Sequence, residues 1–463
     1  MAVATIETQE TPIFNPEQFD TDFEAFTKTI PSIVAVTAPD RSDKTTQLGA
    51  FLNDEIENLD LTYPKLDAIT PEQIESIRAE AHRLMDQITL LDEPRRGVYE
   101  AFVAQNVLQA ELAIAMKAYK IAETDEEKSI AREQFMRRNI ELYGEPDKQT
   151  YLSLLGEKIT NVSQKDRSPE AEVIFAELQS LVPAEVLDPE IAGERFKPSA
   201  ETVAWMHTVI ESLHGDLLRH VPETDEPISS VELRDIFETI IREEFGEAAE
   251  GWEVVLKDAK AISVGAKSKR VIIPINRPDM SVAEVRRLVV HELGIHMLTA
   301  ITGESTDIIP LNFGLSGYGD TQEGLGKVAE QALEGTFKEA GVDHYITAGL
   351  AYFDGKSFRD AFEVKWRMKL LEDLESGQVP TEEQITKARK IAADGPLLAT
   401  TRIFRGTDEL PLFKDLSYYN GSVKVWEYLE QIRGDDLQLS LLLAGKISTS
   451  KDHQRVVLES RTA

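Results

Sequence analysis

The sequence contains no cysteine. That excludes a disulfide framework, a thiol nucleophile and any Cys-ligated zinc or iron–sulfur site, so a transition metal would have to be held by histidine and carboxylate. Basic residues are short: 50 Lys and Arg stand against 82 Asp and Glu, a net charge of −32 over 463 residues. A surface of that sign attracts neither nucleic-acid phosphates nor an anionic membrane. No apolar run approaches the roughly 18 residues that a membrane-crossing helix needs. Residues 1–19 lack a basic segment followed by an apolar one, so no secretory signal is expected there. The expected address is the cytoplasm. What is present, 42% hydrophobic and 29% charged residues, is the composition of a soluble globular chain with material for two or three domains.

Three stretches differ in pattern. Residues 1–65 are rich in Pro, Asp and Thr with patchy helical periodicity, and a mixed, loop-rich extension with short helices is expected. Residues 66–200 read as an α-helical region. Thr70-Pro71-Glu72-Gln73 has the spacing of a capping box with proline at the first helical position, and further helices are expected over 97–122, 126–143 and 169–181. Residues 201–463 form the third stretch, with helices expected at 201–219 and 230–245. The period then changes. Segments 252–256, 261–264 and 271–275 are short and β-branched, with 267–269 as a turn, and predict a small β-ribbon or sheet. Ser281-Val282-Ala283-Glu284 is another capping box, opening a helix over 281–303.

That helix reads SVAEVRRLVVHELGIHMLTAITG. Val285, Leu288, Val289, Leu293 and Leu298 mark it as buried, and buried polar groups need partners. His291, Glu292 and His296 spell HExxxH. In the better-known HExxH zinc signature the histidines at i and i+4 share one face. At i and i+5 an ideal helix sets them about 140° apart. Both reach one ion only if the helix absorbs an extra residue, as in a π-bulge or a local unwinding, and Gly294 lies between them. With 8 histidines in the chain, the chance of such a motif is on the order of one per cent. The plain alternative is two hydrogen-bonded core histidines on separate faces.

A zinc hydrolase needs a third protein ligand and an open position for water. The best-placed candidate is Glu323, in the first turn of a helix that follows the Gly-rich GLSGYGD. A helix dipole also favours Glu there, so position alone leaves both readings open. The expected chemistry is that of a metal-activated water, with Glu292 taking its proton and passing it to the leaving amine. The β-ribbon offers an edge for an extended peptide.

HELGIHMLTAITG together with TQEGLGKVAEQ resembles the QEGLA-motif family, which pairs HExxxH with a downstream [EQ]EGLA segment. That family includes bacterial proteins and the animal microtubule-associated tyrosine carboxypeptidases. The resemblance implies His291, His296 and Glu323 as ligands of one Zn2+ ion and Glu292 as the catalytic base. It spans about 200–463, taking in Arg402-Ile403-Phe404-Arg405-Gly406, then Lys414-Asp415-Leu416-Ser417-Tyr418, and LLLAGKIS at 441–448. Where the family usually has Ala this chain has Gly326, a change expected to leave the ligands alone. A carboxypeptidase must hold a terminal carboxylate. Arg402 and Arg405 offer forks for it and Lys414 a point charge, while Tyr418 is a candidate hydrogen-bond donor to an oxyanion. Each also reads as a surface cation or a packed aromatic. His344, Tyr345 and the other histidines (82, 207, 214, 220, 453) read as structural.

The resulting expectation is an α+β chain: a zincin-like metallopeptidase domain over 201–463, with a small β-sheet and an active-site helix, after a predominantly α-helical N-terminal region. Its expected activity is zinc-dependent cleavage of a peptide bond near a peptide or protein C-terminus. Tubulin is not expected as the substrate, because its tails are acidic and a chain at −32 repels them. Two alternatives stay open. One is a metallopeptidase like dipeptidyl peptidase III, which also has histidines at i and i+5. The other is a regulatory or binding protein that keeps zinc without turnover.

Overall fold

Helix starts are written into this sequence by capping residues. Thr70 accepts from the Gln73 amide while Gln73 reaches back, with Pro71 opening the Pro71–Ile88 helix. Ser229 with Glu232 and Ser281 with Glu284 close the same reciprocal pair, so two orphan amides are satisfied at each start. The computed structural model describes residues 15–259, 261–395 and 400–462. These residues are mostly helical, with one small sheet.

The extension over 1–65 carries short helices in its described part. Residues 1–14 lie outside the described residues, but the rest of that stretch carries helices Pro16–Thr29 and Arg41–Leu52. Its Pro and Asp residues open helices: Asn15 and Asp40 are N-caps and Pro16 is a first-turn proline. Phe19, Phe23, Phe26 and Phe51 are buried in a hydrophobic cluster that is continuous from Phe19 to Val457. One ionic tie adds to this. Buried Asp408 accepts from the Leu61 amide at 2.8 Å, the Tyr63 hydroxyl at 2.5 Å and Lys120 Nζ at 2.7 Å.

Helices Arg95–Ile121, Asp125–Tyr143, Lys148–Ser163 and Pro169–Leu181 follow. The third was not foreseen; its buried YLSLLG core has no clear polar face to give it a helical period. The sheet has three strands in the order β1 (Glu253–Lys257), β3 (Arg270–Pro274), β2 (Ser263–Gly265). β1 runs parallel to β3, and β2 antiparallel to it. Val271 and Ile273 on the central strand are fully buried. The tight turn between β2 and β3 puts Lys269 in the left-handed region at φ 47°. The signature helix follows the sheet. No described helix is long and apolar enough to cross a membrane.

Candidate metal centre

The signature helix is α-helical over Val282–Leu288, π-helical over Val289–Met297 and α-helical again over Leu298–Glu304. A π-helix bonds i to i+5, so residues five apart share one face. His291 and His296 therefore stand together, with ring centroids 4.8 Å apart at 75°. Gly294 has a steric reason as well as a conformational one. A Cβ there would lie 2.9 Å from Cε1 of His214, whose imidazole packs against that turn from the Ala200–Leu218 helix.

The third member comes from the Tyr318–Leu333 helix. That helix meets the Ser417–Ile432 helix at a crossing of Gly324 with Gly421, where a Cβ on either would collide with the other helix's backbone. The close approach sets Glu323 beside both histidines. His291, His296 and Glu323 each offer a ligand atom, and those atoms all lie within 4.8 Å of one another. An ion with bonds of about 2.0–2.2 Å draws its ligand atoms to within about 4.2 Å, so small side-chain rotations close the set. The donor types, two imidazoles and one carboxylate, suit Zn2+.

One partner of this cluster was missed. Glu330, two turns after Glu323 on the same helix, accepts from Nδ1 of His291 at 2.5 Å. It is steadied by Lys327 Nζ at 2.9 and 3.1 Å. A carboxylate on Nδ1 fixes the proton there and turns the Nε2 lone pair toward an ion. Although burial opposes its charge, Glu330 is held down to about 2 by the His291 bond and Lys327. The clue was available: positions seven apart on a helix share a face. For His296, Gln322 Oε1 stands 3.5 Å from Nδ1 and also accepts from Thr299. Burial holds the His296 imidazole down to about 4, neutral as a ligand must be.

Gly326 packs against the His291 imidazole. A Cβ there would lie 2.6 Å from Cε1 of His291, so the missing methyl gives the ring its place. Glu292 is buried, and its pKa is raised, chiefly by burial and then by the charges of Glu323 and Glu330 against that of His291.

The 402–418 block lies beside this centre and differs from expectation. Asp415, fully buried, takes Nε and Nη2 of Arg402 at 3.1 Å each, and Nη2 of Arg405 at 3.2 Å. Burial works against its charge, yet Arg405, Arg402 and Lys414 hold its carboxyl far below the usual range. The forks read as open to a substrate carboxylate are thus engaged by the protein's own. Tyr418 is nearer the chemistry. The charge of Glu323 is the largest influence on its hydroxyl, which accepts from Arg402 Nη2 at 3.3 Å and keeps its own proton. The Tyr318 hydroxyl also feels Glu323. His344 packs on Tyr418 with ring centroids 5.7 Å apart, and the Tyr345 hydroxyl accepts from the Asp147 amide.

A second His–carboxylate group, His220 with Glu243 and Glu244, is already served by a cation, since Arg219 binds Glu244 at 2.7 Å. No curated protein and no solved structure matches the chain. The family described as Microtubule-associated tyrosine carboxypeptidase matches residues 193–365 and 384–458. That span covers more than half of the chain and takes in the sheet, the π-helical segment, Glu323, Glu330 and the 402–418 block, so the chain belongs to the microtubule-associated tyrosine carboxypeptidase family.

Proposed function

We propose that this protein is a zinc-dependent metallopeptidase of carboxypeptidase type, with a zincin-like arrangement of sheet and active-site helix. His291, His296 and Glu323 would hold one Zn2+ ion. The observation that carries this reading is the π-helical turn: it brings two histidines five positions apart onto one face, beside a carboxylate from another helix. Helical strain of that kind gathers at functional sites, and nothing in plain core packing asks for it. When bound, the ion supplies a Lewis acid that makes water a better nucleophile and polarises a carbonyl.

The residues around it have separable tasks. Glu330 orients His291. Glu292 is not among the three clustered ligand groups and is buried beside them, with its pKa raised mainly by burial. It accepts the proton of the attacking water and hands it to the leaving amine, a task for which a raised carboxyl pKa is suited. Tyr418, oriented by Arg402, donates its O–H to the oxygen that gains charge. The edge strand β2, which among the described residues pairs only with β3, leaves its other side for an extended peptide. Membership of the family supports this reaction class and, with it, a peptide or protein C-terminus as substrate.

The test is a digest of a peptide library by the wild type and by Glu292→Gln. Fragments made by the wild type and absent with the variant support the peptidase. Identical digests from the two proteins reject it in favour of a zinc-holding protein without turnover.

A further inference from the structure

The strand order β1-β3-β2 puts β1 at the sheet edge opposite β2. Glu253 N–H donates to Lys269 O at 2.9 Å, and Lys257 C=O accepts from the Ile275 amide at 2.8 Å. Backbone groups alternate along a strand, so Glu253, Val255 and Lys257 turn theirs toward β3. The N–H and C=O of Val254 and Leu256 therefore point outward, and among the described residues they have no hydrogen-bond partner. An unpaired edge of this kind is a template for another strand. Beside it, Trp252, Ile241 and Ala249 help line a groove of about 510 Å3, and the Trp252 indole Nε1 is buried without an acceptor.

The strand reads Glu-Val-Val-Leu-Lys, with an exposed charge of opposite sign at either end. Turned antiparallel to a second copy about an axis through Val255, it meets itself in charge register. Glu253 faces Lys257 of the second copy, and Lys257 faces that copy's Glu253. Val254 faces Leu256, so the outward backbone groups of both strands exchange N–H···O=C bonds. The same backbone alternation allows neighbouring registers with Val254 or Leu256 on the axis. Those set Glu253 or Lys257 against Val255 and lose the ion pairs. Edge charges ordinarily keep strands apart, whereas here they favour one pairing. Among the described residues Lys257 has no ion-pair partner in its own chain, while Glu253 takes Arg270 at 3.2 Å.

We propose that β1 is a self-association edge: a second copy of this chain adds its own β1 antiparallel, giving a two-fold dimer with one sheet continuous across both copies. The β2 edges then lie at the two ends of that sheet, away from the dimer axis. A strand of five residues buries less than the roughly 1,200 Å2 of a stable interface. The covered groove adds to it, and the association is modest. Nothing in this inference rests on the peptidase reading.

Sedimentation equilibrium of the full-length protein tests it. The mass should climb from one chain toward two with concentration, with the midpoint at about 10–100 µM. Lys257→Glu and Glu253→Lys should each raise that midpoint by roughly tenfold or more, and the double exchange, which restores opposite charges, should bring it back. A covalent probe reads the register. The chain has no cysteine, and Val255→Cys sets a thiol on the axis, where facing Cα atoms stand ~4.5 Å apart, within disulfide reach. With oxidised glutathione as oxidant it should become a disulfide-linked dimer. Lys257→Cys, whose position faces Glu253 rather than itself, should not. A mass of one chain at about 500 µM overturns the proposal. So does a dimer whose midpoint neither charge reversal moves, or one in which Val255→Cys crosslinks no faster than Lys257→Cys.

Discussion

Replacing Glu330 probes the centre without touching a ligand. Its Oε1 lies 2.5 Å from His291 Nδ1, and its side chain is one-fifth exposed, so water cannot fully take its place. A charge-assisted bond of this kind contributes about 1.5–3 kcal/mol. Loss of such an outer carboxylate costs about 10–100-fold in metal affinity, which is about 1.4–2.7 kcal/mol. Gln keeps an acceptor oxygen and loses only the charge, whereas Ala removes both. Glu330→Gln is therefore expected near tenfold weaker zinc binding and Glu330→Ala near one hundredfold. Competition against a chelator of known affinity measures this directly. Thermal melting at fixed free zinc gives an independent value, since a tenfold loss removes about 1.4 kcal/mol of zinc-induced stabilisation. If Glu330→Ala binds zinc within twofold of the wild type, His291 does not hold the ion through Nε2 in the orientation described.

Glu292→Gln should retain full zinc and lose peptide turnover by about 10²-fold or more, measured by metal content beside initial rates. Gly294→Val should destabilise the fold by about 1–3 kcal/mol in urea unfolding, because even a Cβ at that position meets the His214 ring at 2.9 Å. Asp408→Ala should cost about 3–5 kcal/mol by the same assay, since it strips the buried partner from Lys120 and from the Tyr63 hydroxyl. Tyr418→Phe should lower kcat more than it raises KM, since the donated hydrogen bond acts on charge that develops in the transition state; a rise in KM alone would remove its oxyanion role.

Much of the scaffold was legible because its signals are local. Capping pairs at Thr70, Ser229 and Ser281 need only three residues of context, and the β-branched runs near 253, 263 and 270 gave the strands to within two residues. The i, i+5 spacing of the histidines demanded an irregular turn, and a π-helical one is present. What stayed hidden depends on long-range packing. Asp415 lies thirteen residues from Arg402, yet only the fold reveals that it occupies both arginines. The space that Gly326 leaves for His291 comes from a helix 35 residues away. The short helices between residues 15 and 65 were expected without bounds, because short helices with polar caps show too little period to fix their ends.

The central claim is that two imidazoles on a π-helical turn and one carboxylate from another helix hold a single ion. Metal content of the purified wild type, His296→Ala and Glu323→Ala, each loaded with zinc and then dialysed, tests it most directly. The account predicts one zinc per chain in the wild type and less than about a tenth of that in either variant. A wild type that keeps no zinc, or a His296→Ala protein that keeps a full equivalent, contradicts it.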